Sequence, residues 1–343
     1  MKKIIYQIFI CLLIGFAGTV NSQDLHFSQF YTSPLSINPS LAGNFNGDYR
    51  VGLNARNQWA SVTVPYQTLS VYGDVAVAQD KVGENNWIGL GTSFFLDRAG
   101  DGELRTIKAH GHIAFHKHLS DQFFLSLGAG FGYVQKSIDL SKLTFSSQWD
   151  GIGFDGNINN LEDFSANQFG YLDVSSGLSL SFMSPESYSG TVGFSLQHIN
   201  RPLESFYFTD NNGGNNQLGY RPVVHYTSDV NLSPIHIYPA AMFTMTKKTN
   251  EAVLGANVGY FMEEPSEDNK SSMGVFGGLW YRTTGSIIAL VGFEMSRVRM
   301  MLNYDLDIGE LSQFSNTRNG FELSISHVGS FREPPSRLYC PRF

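Results

Sequence analysis

Cysteine, basic charge and long apolar runs are all scarce in this chain, and each shortage excludes something. Only Cys11 and Cys340 occur among 343 residues. Cys11 lies in an expected leader, so the mature chain keeps a single thiol and can form no internal disulfide. Lys and Arg number 23 against 30 Asp and Glu. Removing Lys2 and Lys3 with the leader leaves 23 − 2 = 21 bases against 30 acids, a formal charge of −9. That balance excludes nucleic acid as a partner, because binding phosphates needs a basic patch that displaces counterions. After the leader no stretch approaches the roughly 18 apolar residues of a spanning helix. There is no Gly-x-Ser-x-Gly elbow, His-Glu-x-x-His helix or phosphate loop. Neither an enzyme nor a cofactor is therefore expected.

The first residues read as a cleaved secretory signal over 1–22. Lys2 and Lys3 precede an apolar run from Ile4 to Phe16, and small residues from Ala17 to Ser22 place cleavage before Gln23. A retained anchor would need about 20 apolar residues, more than this run offers. Cys11 falls inside the apolar run, which argues against a lipoprotein.

What the chain does have is glycine and aromatics in a period of two. Glycines number 35 and aromatics make up 14%. In 122–134, Phe123, Leu125, Leu127, Ala129, Phe131 and Tyr133 alternate with Ser126, Gly128, Gly130 and Gly132. Successive strand side chains face opposite sides, so one face is greasy and the other small and polar. Fourteen such segments follow: 49–59, 67–79, 87–97, 104–118, 122–134, 171–181, 188–199, 221–231, 235–246, 251–262, 272–282, 286–295, 297–307 and 319–331. The two from 286 to 307 alternate poorly. Most run to about 10 or 11 residues, the length a tilted strand needs to cross a bilayer.

The expected fold is all-β, a single transmembrane antiparallel barrel of about fourteen strands over 48–332. Lipid offers no hydrogen bonds, so the sheet must close. Connection lengths agree. The long ones, 135–170, 200–220 and 308–318, follow odd-numbered strands, while the tight turns at Leu119–Asp121 and Ser233–Pro234 follow even ones. Short periplasmic turns and long outer loops are the rule for such barrels. The segment 263–271 is an exception on the periplasmic side. A soluble sandwich is the rival and would show shorter strands. Residues 23–47, with Pro34, Asn38 and Pro39, form coil that either trails in the periplasm or plugs the lumen. Residues 333–343 form a periplasmic tail, barred from ladder pairing by Pro334, Pro335 and Pro341.

Several residue groups invite a site. His110, His112, His116 and His118 share one face of a strand, with Ile113 and Phe115 on the other. His-x-His on a strand can chelate zinc or copper, but no nearby carboxylate or cysteine completes a shell. Lumen lining is the reading, and no metal is expected. The stretch Asp97–Glu103 has the outline of a calcium loop, but Ala99 takes a ligand position, so a hairpin turn on Gly100 and Gly102 is expected. Asn54, Arg56 and Gln58 share a lumen face and are candidates for contact with a plug.

The stretch QDLHFSQFYTSPLSINPSLAG at 23–43 resembles the opening of the PorP/SprF family of type IX secretion-system membrane proteins. The resemblance continues through NARNQWASVTVPYQTLSVYGDV at 54–75, FFLDRAGDGELRT at 94–106, LSLGAGFGYVQKSIDLSKLTF at 125–145 and CPRF at 340–343. It implies an outer-membrane barrel of Bacteroidetes-type bacteria that supports secretion or surface attachment of adhesins and enzymes, in some members for gliding motility. Its partners would be outer-membrane lipid, secreted type IX cargo and components of the machinery. Phe343 resembles the terminal aromatic that marks barrels for insertion. The alternative is a transport barrel for small or hydrophobic solutes, of the fatty-acid-channel type.

Overall fold

Alternation of lipid-facing and inward residues makes the strands, and the computed structural model closes them into one sheet. The structure describes residues 27–59, 64–79, 81–162, 164, 166–184, 187–207, 217–246, 249–263, 273–309 and 318–331. The leader, residues 23–26, the tail with Cys340 and Phe343, and nearly all of 263–271 lie outside the described residues.

The strands are β1 (Tyr49–Gln58), β2 (Tyr66–Val77), β3 (Trp87–Ala99), β4 (Leu104–Ser120), β5 (Phe123–Ser137), β6 (Gln168–Ser184) and β7 (Tyr188–Gln197). Then come β8 (Arg221–Leu232), β9 (Ile235–Met245), β10 (Asn250–Glu263), β11 (Met273–Arg282), β12 (Ser286–Met295), β13 (Val298–Asp307) and β14 (Arg318–Gly329). Each pairs antiparallel with its neighbours in sequence, and β1 pairs with β14 from Tyr49↔Gly329 to Gln58↔Gly320, which closes the barrel. The fourteen segments read from the sequence are these strands. Closure leaves no unpaired edge in hydrocarbon. Among the described residues no helix is long and apolar enough to cross a membrane.

Side-chain alternation follows the reading. On β5, Leu127 is 63% exposed to the barrel exterior while its neighbour Ser126 is buried inside. Several strands are longer than expected, however. β4 and β6 have 17 residues each. At about 3.3 Å per residue and a tilt of about 40° such a strand covers roughly 43 Å of barrel axis, against about 30 Å of hydrocarbon. Pairing shows where the surplus lies. β7 pairs only with Ser176–Ser184 of β6, so Gln168–Ser175 runs on beyond it, laddered with β5 and met on its other side only by Ile199 and Asn200 at Leu172 and Val174. The β5–β6 hairpin therefore rises past its neighbour at the end that carries the odd-numbered connections.

Residues 27–47 do not trail from the even end; they lie inside the barrel. Three short 3-10 turns at Phe30–Thr32, Pro34–Ser36 and Pro39–Leu41 compact the segment. Pro34 and Pro39 open two of them, where a missing N–H costs nothing and φ is preset. Asn38 caps the third, its side chain accepting from Ser40 N. Gly43, at φ +71°, lets the chain turn towards β1. Phe30, Ile37 and Leu41 pack against inward apolar residues of β8–β12, namely Val223, Ala240, Met242, Val253, Trp280 and Ile288. The segment and the wall together make the hydrophobic core that an empty barrel would lack.

Candidate functional site

The lumen and its N-terminal occupant form the candidate site, and it has three tiers. In the outer tier Glu322 receives two successive backbone N–H groups, from Ser28 (2.9 Å) and Gln29 (3.0 Å). Ser28 Oγ donates to Asp305 (2.7 Å) and accepts from Arg282. The Gln29 side chain donates to Asn303 (2.5 Å) and accepts from Ser324 (2.9 Å). Arg56 and Arg282 each lie 3.2 Å from Asp305, and Arg56 is 3.9 Å from Glu322. Every charge here is buried and offset by an opposite one, as a low-dielectric interior demands.

The middle tier is aromatic. Tyr31 stacks on Trp280 at 5.1 Å, and Phe30 meets the same ring edge-on at 5.9 Å. Asn257 ties the pair together, donating to the Tyr31 hydroxyl (2.9 Å) and accepting from Trp280 Nε1 (2.8 Å). Both polar handles are thus satisfied, with Trp280 buried and Tyr31 partly so.

In the inner tier the chain lies directly on the wall. Asn38 Nδ2 donates to His225 Nε2 at 3.0 Å, and Ser40 Oγ donates to Ser179 Oγ at 2.9 Å. Two wall glycines allow this approach. A Cβ on Gly128 would lie 2.3 Å from Ser40 N, and one on Gly89 would lie 1.8 Å from Ala42 O. Arg50 grips Asp74 through Nε (3.0 Å) and Nη2 (2.7 Å) and also donates to Leu41 O (3.1 Å). Asp74 accepts from Gly43 N at 2.8 Å. Trp87 Nε1 donates to Gly43 O at 3.0 Å.

The sequence-derived candidates take different places. Asn54 is buried and accepts from the Thr32 hydroxyl at 2.7 Å, a direct contact with the occupant. Arg56 reaches it through Asp305 and Glu322, and Gln58 sits partly buried at the end of β1. The four histidines do share a face, but each ring has its own surroundings. His116 stacks on Trp87 (4.5 Å), donates from Nε2 to Ala42 O (2.7 Å) and accepts at Nδ1 from Ser126 (2.7 Å). His112 meets Ser93 (3.0 Å), and His118 lies beside Phe124 and 3.9 Å from Asp121. His110 corrects the expectation that no carboxylate is near. Asp173 of β6 lies 3.3 Å from it and also holds His198 at 2.9 Å. Gly132 on the intervening strand β5 leaves the room, since a Cβ there would strike the His110 ring at 2.0 Å. Among the described residues no three metal-ligating groups gather to hold an ion. The ends of Asp97–Glu103 diverge: Asp97 accepts from Thr68 inside, and Glu103 pairs with Arg98 and Lys142 outside.

Asp74, Asp305, Glu322, Arg282 and Trp280 were missed as site residues. Their one visible signal was a charged or bulky side chain on an inward position of an otherwise small polar face.

Residues 19–327 match the PorP/SprF family, described as type IX secretion system membrane proteins. No curated protein matches the sequence. Among solved structures, the CymD monoaromatic hydrocarbon channel has a TM-score of 0.50 at 11% identity over 93% of this chain and 95% of its own. A Pseudomonas aeruginosa FadL homologue has a TM-score of 0.45 at 9% identity, over 82% of this chain and 89% of its own. At such identities the likeness concerns the fold. The family match spans every strand but the end of β14, and on that ground the chain belongs to the PorP/SprF family of type IX secretion system membrane proteins.

Proposed function

We propose that this protein is a non-catalytic outer-membrane accessory of the type IX system, supporting secretion or surface attachment of a secreted adhesin or enzyme. The family match over 19–327 carries this reading. The lumen supports it from a second direction, because a barrel filled from Phe27 to Gly47 by its own chain is a scaffold before it is a channel. The even end, with its tight turns, faces the periplasm, and the odd end with 138–167 and 198–220 faces the exterior. Secretion delivers the chain with its leader cleaved before Gln23.

Deletion of the gene is expected to leave at least one type IX cargo retained in the cell or shed into the medium, as read by surface proteomics. Normal surface display of every type IX cargo would overturn the proposal. The second reading, transport of small or hydrophobic solutes, requires the N-terminal segment to leave the apolar patch around Trp280 and Met242 that Phe30, Ile37 and Leu41 cover. Steady uptake of such solutes by liposomes holding the purified, full-length barrel would favour it instead.

A further inference from the structure

The two longest connections at the odd end fold onto one another. Phe164 and Tyr207 form an antiparallel bridge with rings stacked at 4.9 Å, and the Tyr207 hydroxyl donates to Glu162 at 3.3 Å. Below them Lys136 pairs with Glu204, which also accepts from the Tyr171 hydroxyl at 2.9 Å. The rings of Phe169 and Phe206 meet at 4.7 Å. This base stands on the β5–β6 hairpin that already rises above β7.

From the base projects a tongue, Trp149–Leu161. Trp149 and Phe154 bridge with rings 5.1 Å apart, and Asp150 N donates to Gly153 O at 3.0 Å, closing a tight turn with Ile152 near its tip. Ile152 is 92% exposed and Leu161 is 79% exposed, with Trp149, Phe154, Leu203 and Tyr207 each about half exposed. A Cβ on Gly151, Gly153 or Gly156 would meet nothing within 4 Å. Leu161 also sits at φ +57°, in the left-handed region that a bulky side chain avoids. Single exposed apolar residues are ordinary, but a cluster on a built scaffold outside the bilayer marks an interaction site.

Charge narrows the occupant. The tongue carries Asp150 and Asp155, Glu162 follows it directly, and 149–162 holds no lysine or arginine. Of the bases on the surrounding strands and loops, Lys142 and Arg98 pair with Glu103, Lys136 pairs with Glu204 and Arg201 lies over the Tyr220 ring. The backbone N–H groups of Gly153 and Ile152 hold the Asp150 carboxyl below the usual range, so it stays ionised. Anionic lipid headgroups are repelled by such a rim, and so is a second copy that carries the same one. We propose that the tongue Trp149–Leu161 is a docking surface for a protein presenting an apolar patch ringed by lysine and arginine. This rests on the reading above, that the partner is a secreted protein.

The test uses cells lacking the gene, complemented with the full-length chain or its variants, and measures the surface-held cargo that the deletion strain loses. Ile152→Asp with Leu161→Asp is expected to lower its retention by about tenfold, the scale of one lost interface anchor. Ile152→Ser with Leu161→Gly serves where the first pair misfolds, because glycine relieves the positive φ at 161 while removing the side chain. Heat-modifiable gel mobility checks that the barrel is folded. Full retention with a folded variant would overturn the docking surface and leave the secretion role standing. A deletion strain that loses no cargo would overturn both.

Discussion

Replacing Gly89 and Gly128 together by valine is expected to lift the inner tier of the N-terminal segment off the wall and turn a barrel expected to be silent into a conducting one. At both positions the collision is with backbone. A Cβ on Gly89 would lie 1.8 Å from Ala42 O and 2.4 Å from Ala42 C, and one on Gly128 would lie 2.3 Å from Ser40 N and 2.5 Å from Pro39 C. No rotamer change relieves these contacts. Overpacking usually costs about 1–3 kcal/mol per site, and contacts this short fall at the upper end or beyond. The hydrogen bonds that seat the inner tier each contribute only about 0.5–1.5 kcal/mol net. Local lifting of Pro39–Gly43 from the wall is therefore favoured over accommodation, while the outer and middle tiers stay seated. The wall itself tolerates the change, because valine suits a strand and the pairings Gly89↔Ala114 and Gly128↔Gly177 run through the backbone. Single-channel recordings in planar bilayers check it, with wild type silent and the variant showing steady current. A folded variant as silent as wild type would refute the seating.

The second large effect concerns Arg50. Its guanidinium and the Asp74 carboxylate are almost fully buried and lie 2.7 Å apart. Arg50→Ala leaves that carboxylate in the interior with the Gly43 N–H as its remaining named donor. Breaking a buried pair in this way costs about 3–5 kcal/mol. The double variant Arg50→Ala/Asp74→Ala removes both charges and is expected to recover most of the loss, keeping a deficit of about 1–2 kcal/mol for the bonds to Leu41 and Gly43. Thermal unfolding of the detergent-solubilised barrel reads both. Equal destabilisation by the single and double variants would show that the pair does not act as argued.

The barrel was legible because a period of two survives wherever one face meets lipid and the other meets small polar side chains, as in β5 and β6. It blurs at 286–307 for a reason the occupant supplies. Ile288, Leu290 and Met301 face inward and are buried in apolar clusters, some directly against Phe30 and Tyr31. There the lumen is partly a hydrophobic core, so β12 is apolar on both faces over 288–291, while on β13 Met301 is the buried apolar residue beside the inward Asn303, Asp305 and Asp307. The site itself was less legible. Asn54 could be read from its parity on β1, but Arg56 meets Asp305, and Ser28 meets Glu322, across separations of 249 and 294 residues. Periodicity says which way a side chain points and nothing about what it meets across the lumen. His110 shows the same limit, since Asp173 reaches it over an intervening strand.

The place of the N-terminal segment inside the barrel, in the membrane, is open to direct test where it touches β6. Ser40 Oγ and Ser179 Oγ are 2.9 Å apart, close enough for cysteines in their places to form a disulfide. The measurement is cross-linking of Ser40→Cys/Ser179→Cys, on a Cys340→Ser background, in isolated outer membranes. Near-complete disulfide formation under mild oxidant, reversed by reductant and seen as a gel shift, is the predicted result. Two thiols that stay free and react with a membrane-impermeant maleimide after oxidation would contradict it.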